Sequence, residues 1–174
     1  MGVTKNIIVV EDRLRAVFDT LPPMIVDLVE YPIVFKYGDE KELMSFLKNT
    51  QGNDTPYPLI WLVYPYEEKH NRTHVSITDM SFVLAVETNE EMFNEERFET
   101  TYKDVLFPLY DNIRKLFNMA NIITTNDTYK VIKFPNYSGE DGGSEEQKTV
   151  DIWDALKITF NCTINDWCLE PIEF

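Results

Sequence analysis

The sequence predicts an α+β fold, in which a mostly antiparallel β-sheet is packed by an N-terminal helix and by one long helix. Three observations predict this class. Apolar residues recur at helical spacing in two segments, they alternate with polar residues near the C-terminus, and turn residues separate short β-branched runs. Because a chain of 174 residues has the length of one domain, we expect a single domain over residues 1–174.

The N-terminal part predicts a helix followed by an interrupted strand. Apolar residues recur every three or four positions from Ile7 to Leu21, and Pro22 ends the pattern. Residues 24–37 are rich in β-branched and aromatic side chains but contain Pro32. Proline donates no hydrogen bond to a sheet, so this run predicts an edge strand or a strand broken in two.

A second helix and a buried strand are predicted next. Asp39 and Glu42 have the spacing of a capping box, and the apolar residues within 40–48 supply one face of a short helix. Residues 59–64 form a nearly continuous apolar run. Such a run predicts a strand that is covered on both faces.

The following segment predicts a hairpin with a β-bulge. Between residues 75 and 86 the apolar positions alternate, but they change from odd to even numbers between Thr78 and Met80. A bulge at this point keeps the apolar side chains on one face. Together with the preceding strand, this segment predicts an antiparallel hairpin whose loop, residues 65–71, projects from the sheet.

The C-terminal half predicts the long helix and two further strands. Residues 98–117 have one apolar face, and Pro108 within them predicts a kink or a break. Residues 129–134 and 156–164 predict strands, the second of them by strict alternation. Between these strands lies a glycine- and acid-rich stretch, for which we expect a mobile acidic loop at about residues 136–149.

The charge balance favours an acidic globular protein over a nucleic-acid-binding one. With 16 basic and 30 acidic residues the net charge is −14, whereas affinity for nucleic acid comes mainly from Lys and Arg. No segment has the length and composition of a signal peptide or of a membrane span. We therefore expect a soluble protein that is made in a cytosol.

The cysteines and histidines do not predict a metal or redox site. Cys162 and Cys168 have five residues between them, which is neither a zinc nor a redox spacing. Cys162 falls on the inward face of the last predicted strand, so we expect a buried free thiol. A disulfide with Cys168 is the alternative, and it would close a very small loop. His70 and His74 lie near the predicted hairpin loop, where solvated side chains are expected.

The sequence predicts no catalytic residue, no cofactor and no metal site. It contains no glycine-rich phosphate-binding motif and no nucleophile elbow. The acidic residues at 90–96 are explained by the dipole of the helix that follows them. A hydrolase with clustered carboxylates would need converging acids and a bound metal, which nothing in the sequence requires.

Two features indicate a protein partner instead. Tyr and Trp are enriched at interfaces, and Tyr57, Trp61, Tyr64 and Tyr66 follow one predicted strand and its exit, although they also suit a core. Residues 138–174 carry 9 acidic and 2 basic residues, which indicates an acidic surface. The candidate subunit-interface residues are Tyr64, Tyr66, Glu67, Glu68, His70 and Arg72, and the candidate acidic surface comprises Glu140, Asp141, Glu145 and Glu146.

The order of elements and several aromatic and proline signatures resemble a known group of proteins. The segments are 57–62 (YPLIWL), 79–84 (DMSFVL), 94–98 (NEERF), 105–110 (VLFPLY) and 153–156 (WDAL). They resemble the small neck proteins of tailed bacteriophages, namely head–tail connector, tail-completion and tail-terminator proteins, with the crAss-like phages as one candidate group. The resemblance spans most of the chain, and the acidic loop departs from it.

The resemblance implies a structural virion protein without catalytic activity. Such a protein forms part of a ring, on the order of six or twelve copies, that joins portal and tail around the DNA channel. Its partners would be further copies of itself and the neighbouring neck, portal or tail proteins, with no membrane involved. DNA would pass without specific binding, because an acidic surface repels phosphates. The implied location is the neck or tail of the virion, and the host cytoplasm during assembly.

The residues themselves leave a second interpretation open. A small acidic cytosolic adaptor or inhibitor, including a nucleic-acid mimic, would bind one protein partner through the aromatic strand and the acidic face. Stoichiometry distinguishes the two interpretations. A ring protein self-associates or docks on a symmetric template, whereas an adaptor binds one-to-one.

Overall fold

The computed structural model of the protein describes residues 7–26, 28–49, 58–88, 91–137 and 152–172. These residues form three runs of three strands, each preceded by a helix or helical region, with a π-helical segment inside the longest helical region. In chain order the elements are α1 (Val10–Phe18), β1 (Met24–Val26), β2 (Val29–Tyr31), β3 (Val34–Gly38), α2 (Glu40–Asn49), β4 (Leu59–Val63), β5 (Glu67–His70), β6 (His74–Thr88), α3 (Asn94–Arg97), the π-helical segment (Phe98–Leu106), α4 (Phe107–Met119), β7 (Ile123–Thr125), β8 (Lys130–Phe134) and β9 (Ile152–Asn165).

Two long antiparallel strands, β6 and β9, form the centre of a seven-stranded sheet. Strands β4 and β5 both lie along the outer side of β6, and β3 extends the sheet beyond β4 in the parallel direction. Strands β7 and β8 lie along the outer side of β9. The short strands β1 and β2 form a separate hairpin. The predicted α+β fold with a mostly antiparallel sheet is confirmed.

Apolar residues on the two faces of the sheet belong to two different cores. On β4, Ile60 and Leu62 face the larger core, which contains residues of α1, the π-helical segment and α4. Leu59 and Trp61 face the smaller core, which contains residues of α2. All four side chains are buried. The continuous apolar run therefore marks a strand covered on both faces, as predicted.

The predicted β-bulge is present in β6. The register between β6 and β9 shifts between Ile77 and Met80, and both of these side chains are buried in the larger core. Asp79 takes up the extra residue with a left-handed backbone (φ +55°), and its N–H donates to Oδ1 of Asn161 at 2.9 Å. The bulge thus keeps the two halves of a 15-residue strand facing the same core.

The two short helices match their sequence patterns with small differences. Helix α1 begins at Val10, later than predicted, and Ile7, the first residue of the predicted apolar face, is 77 % exposed. The capping box before α2 forms as predicted: the N–H of Glu42 donates to Oδ1 of Asp39 at 2.8 Å, and the N–H of Asp39 donates to Oε2 of Glu42 at 2.9 Å. Pro32 separates β2 from β3, and β3 is an edge strand of the sheet. Both alternatives predicted for residues 24–37, a broken strand and an edge strand, therefore apply.

Pro108 does not break the long helix. The backbone keeps right-handed helical angles at Leu106 and Phe107, where the π-helical segment passes into α4. Pro108 lies in the first turn of α4. Proline has no N–H to donate to the helix. Here that N–H is missing at the point where the hydrogen bonds change from the π-helical to the α-helical pattern. The proline thus accompanies a change of helix type. Of the two predicted alternatives the break is absent, and the kink stays a prediction.

One other expectation, that of a loop between β4 and β6, needs correction. Residues Glu67–His70 of the predicted loop form β5, antiparallel to the start of β6. Their charged sequence shows no apolar alternation because the strand lies at an exposed edge. The short strand β7 was not predicted from its three residues. The mobile loop expected at 136–149 lies outside the described residues from position 138 onward.

Candidate functional site

The aromatic residues at the exit of β4 converge on a carboxylate of α1. The hydroxyls of Tyr64 and Tyr66 both donate to Oε1 of Glu11, at 2.5 and 2.6 Å. Their rings lie 5.5 Å apart, and the ring of Tyr64 is 5.9 Å from that of Tyr37. This cluster therefore fastens the connection between β4 and β5 to the first turn of α1.

The shared hydrogen bonds shift the acidity of all three groups. Burial and the hydrogen bond to the Glu11 carboxylate raise the pKa of Tyr64 and that of Tyr66 well above the usual 10.0. Burial acts to raise the pKa of Glu11, but hydrogen bonds from the two hydroxyls outweigh it and leave that pKa below its ordinary value. Glu11 thus stays ionised and the phenols stay protonated at neutral pH.

The other candidate interface residues lie along the exposed edge beyond this cluster. Glu67, Glu68 and His70 belong to β5, and Arg72 lies in the turn that leads into β6. Nε2 of His70 lies 2.7 Å from Oε2 of Glu68. The structure thus separates the six residues into an anchored pair, Tyr64 and Tyr66, and a charged edge. Their contact with another subunit stays a prediction.

The candidate acidic surface is outside the part of the chain that the structure describes. This applies to Glu140, Asp141, Glu145 and Glu146. Tyr57, the first of the four clustered aromatic residues, is outside it as well. Trp61, in contrast, belongs to the smaller core and donates from Nε1 to the carbonyl oxygen of Gly38 at 3.1 Å.

A surface feature that sequence reasoning missed is the hairpin of β1 and β2, called the arm below. Its strands are three residues each, and Leu28 lies in the turn between them. Leu28 is 97 % exposed, Ile25 63 % and Val29 51 %. Leu28 also has a left-handed backbone, with φ +67°. The arm therefore presents apolar side chains to solvent at a position where leucine is strained.

A groove of about 380 Å³ lies at the base of the arm. It is lined by Val26 and Tyr31 of the arm and by Val86, Met92 and Val105 of the sheet and the helical region. Since Val86 stands near the end of β6, the arm is placed at the C-terminal end of this long strand. The rest of the lining comprises Pro58, Glu87, Thr88, Thr100 and Thr101, so Glu87 supplies a carboxylate to an otherwise largely apolar groove.

A second pocket, of about 420 Å³, lies at the N-terminal end of β6. The guanidinium of Arg13 donates from Nη1 to the carbonyl oxygen of Trp167 at 2.8 Å and from Nη2 to that of Asp166 at 3.4 Å. Backbone carbonyls orient the guanidinium without neutralising its charge. The pocket is lined by Ile7, Ile8, Arg13, His70, Arg72 and Asp166, among others.

Within the described ranges, no group of three or more His, Cys, Asp or Glu side chains is placed to hold a metal ion. None of the helices in these ranges is both long and apolar enough to span a membrane.

No family model and no curated protein matches the chain.

The arm had a signal in the sequence, although a weak one. The three β-branched residues of 24–31 are Ile25, Val26 and Val29, and Asp27 lies between them in the sequence. Asp is one of the residues that favour turns, so Asp27 is the signal that could have indicated two short strands. An exposed leucine in a turn is itself unusual, and it becomes visible only once the backbone is known.

Proposed function

We propose that the protein is a structural subunit of a bacteriophage neck that associates with further copies of itself into a ring around the DNA channel. The observation that carries the proposal is Leu28, which is 97 % exposed and has a left-handed backbone. A leucine here costs the isolated chain about 1–2 kcal/mol in backbone strain and gains no burial. Such strain is a reason to infer a function for the residue.

The arm as a whole supports self-association. A two-stranded hairpin is marginally stable by itself, and this one exposes Ile25 and Val29 in addition to Leu28. Since Ile25 pairs with Glu30 and Val29 with Val26, these two residues lie on opposite faces of the hairpin, and the arm exposes apolar side chains on both. A projecting hairpin that docks on a neighbour is a simple way to link identical subunits.

The charge of the chain suits the second part of the proposal, the passage of DNA. The net charge is −14, and an acidic wall repels phosphates over roughly a Debye length of about 8–10 Å. A duplex then slides through a ring without being held by it. A channel wall lined with basic residues would instead attract the phosphates and hold the duplex.

The experiment is native mass spectrometry of the purified protein over a wide concentration range, with Leu28→Gly and Leu28→Met beside the wild type. Glycine suits a positive φ, so Leu28→Gly should keep or raise the melting temperature while it shifts the oligomer toward monomer. Leu28→Met retains an apolar side chain and should associate like the wild type.

Each outcome decides between the interpretations. A closed oligomer that Leu28→Gly dissociates supports the ring subunit. A wild type that stays monomeric at the highest attainable concentration, and that captures one partner one-to-one, would favour the adaptor. An oligomer that Leu28→Gly leaves intact would exclude the arm as the contact.

A further inference from the structure

A cavity of about 480 Å³ lies where α1 meets the connection between β4 and β5, and it is called the tyrosine pocket below. Its lining consists of Glu11, Tyr64, Pro65, Tyr66 and Glu68. None of these residues is basic. Aromatic rings together with a carboxylate are the groups that attract an organic cation, so the lining fits a positively charged side chain.

Glu11 supplies the negative charge of the tyrosine pocket. The hydroxyls of Tyr64 and Tyr66 both donate to its Oε1 and thereby hold the carboxylate in one orientation. None of the ion pairs within the described ranges includes Glu11. Glu68 differs, because its Oε2 lies 2.7 Å from Nε2 of His70. The carboxylate that can take up a cation is therefore that of Glu11.

The same row of rings already binds one guanidinium of the chain itself. Cζ of Arg15 lies 5.7 Å from the centroid of the Tyr37 ring, which is a cation–π distance. The Tyr37 ring is 5.9 Å from that of Tyr64, and Tyr64 is 5.5 Å from Tyr66. Arg15 thus covers the Tyr37 end of the row, whereas Tyr64 and Tyr66 line the pocket.

Arginine suits this lining better than lysine does. Its guanidinium is planar, so it stacks on an aromatic ring while its N–H groups donate to a carboxylate. The chain also has a net charge of −14, which favours partners with a basic surface.

We propose that the tyrosine pocket receives an arginine side chain of a partner protein, with the guanidinium against the rings of Tyr64 and Tyr66 and paired with Glu11. The inference adds a second contact to the proposed function, separate from the arm. It rests on that function only for the identity of the partner as a neighbouring neck protein.

The probe for this site is N-acetyl-arginine amide, which presents the side chain without a partner protein. NMR chemical shifts of the tyrosine rings of the full chain are followed as the probe is added. A single side chain should bind with a dissociation constant on the order of 1–10 mM. N-acetyl-citrulline amide has nearly the same shape without the charge, so it should bind at least about tenfold more weakly.

Two neighbouring acidic residues provide a matched pair of variants. Glu11→Gln removes the charge of the tyrosine pocket and should weaken binding of the arginine probe by at least about tenfold. Asp12→Asn changes the net charge by the same amount, but Asp12 is exposed and is not part of the described lining. This control should bind the probe like the wild type. Circular dichroism establishes that both variants are folded.

Each outcome bears on the inference. Shifts of the Tyr64 and Tyr66 ring signals that Glu11→Gln loses and Asp12→Asn retains support it. Equal affinity for the arginine and citrulline probes overturns it, and this comparison needs only the wild type. Equal affinity of Glu11→Gln and wild type overturns it as well, and equal affinity for N-acetyl-lysine amide overturns the choice of arginine.

The proposed function is tested separately. An oligomer that Leu28→Gly dissociates supports the ring subunit even if the tyrosine pocket binds no arginine. A wild type that stays monomeric counts against the ring, whereas specific binding of the arginine probe would still establish the tyrosine pocket as a cation site.

Discussion

Nη1 of Arg97 lies 3.0 Å from Oδ1 of Asp154 in an ion pair that is closed off from solvent, with side chains 1 % and 0 % exposed. The pair joins α3 to β9, and further hydrogen bonds surround it. Nε of Arg97 donates to the carbonyl oxygen of Met92 at 3.0 Å, the Thr101 hydroxyl donates to Oδ2 of Asp154 at 2.6 Å, and the N–H of Asn136 donates to Oδ1 at 3.2 Å. Buried charges require such partners.

Removing one member of this pair should destabilise the fold strongly. Asp154→Ala leaves a buried guanidinium without its counter-ion, so the free energy of unfolding should fall by about 3–5 kcal/mol. Urea denaturation followed by circular dichroism measures the change.

An exposed ion pair provides the control. Nζ of Lys103 lies 2.7 Å from Oε1 of Glu99, and both side chains are about half exposed or more. Glu99→Ala should cost at most about 1 kcal/mol. Equal losses in the two variants would show that the Arg97–Asp154 pair adds nothing beyond an ordinary surface contact.

The pH dependence of stability should report on Glu11. Its pKa in the folded protein lies below the ordinary value of 4.5, so ionised Glu11 stabilises the fold above that pH. This contribution is lost as the pH falls through the lowered pKa. Wild type should therefore exceed Glu11→Gln in stability at pH 7, and the difference should disappear in acid.

The two tyrosines supply the matched background for this measurement. In a Tyr64→Phe/Tyr66→Phe protein the hydroxyl donors to Glu11 are gone. There, Glu11→Gln should have little effect on stability at either pH. A difference that persists in this background would assign the effect to a group other than the two phenols.

The two cysteines should differ in reactivity toward a thiol reagent. Burial raises the pKa of Cys162 to about 12, and its side chain is buried, whereas Cys168 is exposed. Because the thiolate is the reactive form, a native chain should release one equivalent of thionitrobenzoate from Ellman's reagent, and a denatured chain two. Cys168→Ser should abolish the native reaction, and a Cys162–Cys168 disulfide would abolish both.

Features set by neighbouring residues could be predicted from the sequence. The capping box of Asp39 and Glu42 depends on residues three positions apart, and the bulge near Thr78 follows from a change of phase within one strand. The burial of Cys162 followed from alternation along β9. In each case the pattern and the structure involve the same short segment.

Contacts between distant segments could not be predicted in this way. Arg97 and Asp154 are 57 positions apart, and Tyr64 is 53 positions from Glu11. Propensity and periodicity contain no information on such pairs. The arm was missed for a local reason, since its turn has a leucine where a glycine or asparagine is expected. For pockets this matters most, because the one at the N-terminal end of β6 combines residues near positions 7–13, 70–72 and 166.

Asp79 tests how the bulge in β6 is maintained. Its φ of +55° is tolerated by Asp but disfavoured for β-branched residues. Asp79→Val should lower the free energy of unfolding by about 1–2 kcal/mol. Thr78→Val, at the exposed neighbouring position, should change it by no more than about 0.5 kcal/mol. Asp79→Gly should equal or exceed the wild type, because glycine adopts this backbone freely. Equal stability of Asp79→Val and Thr78→Val would mean that the extra residue of the bulge is accommodated elsewhere in β6. The backbone of Asp79 would then not be the reason why Ile77 and Met80 face the same core.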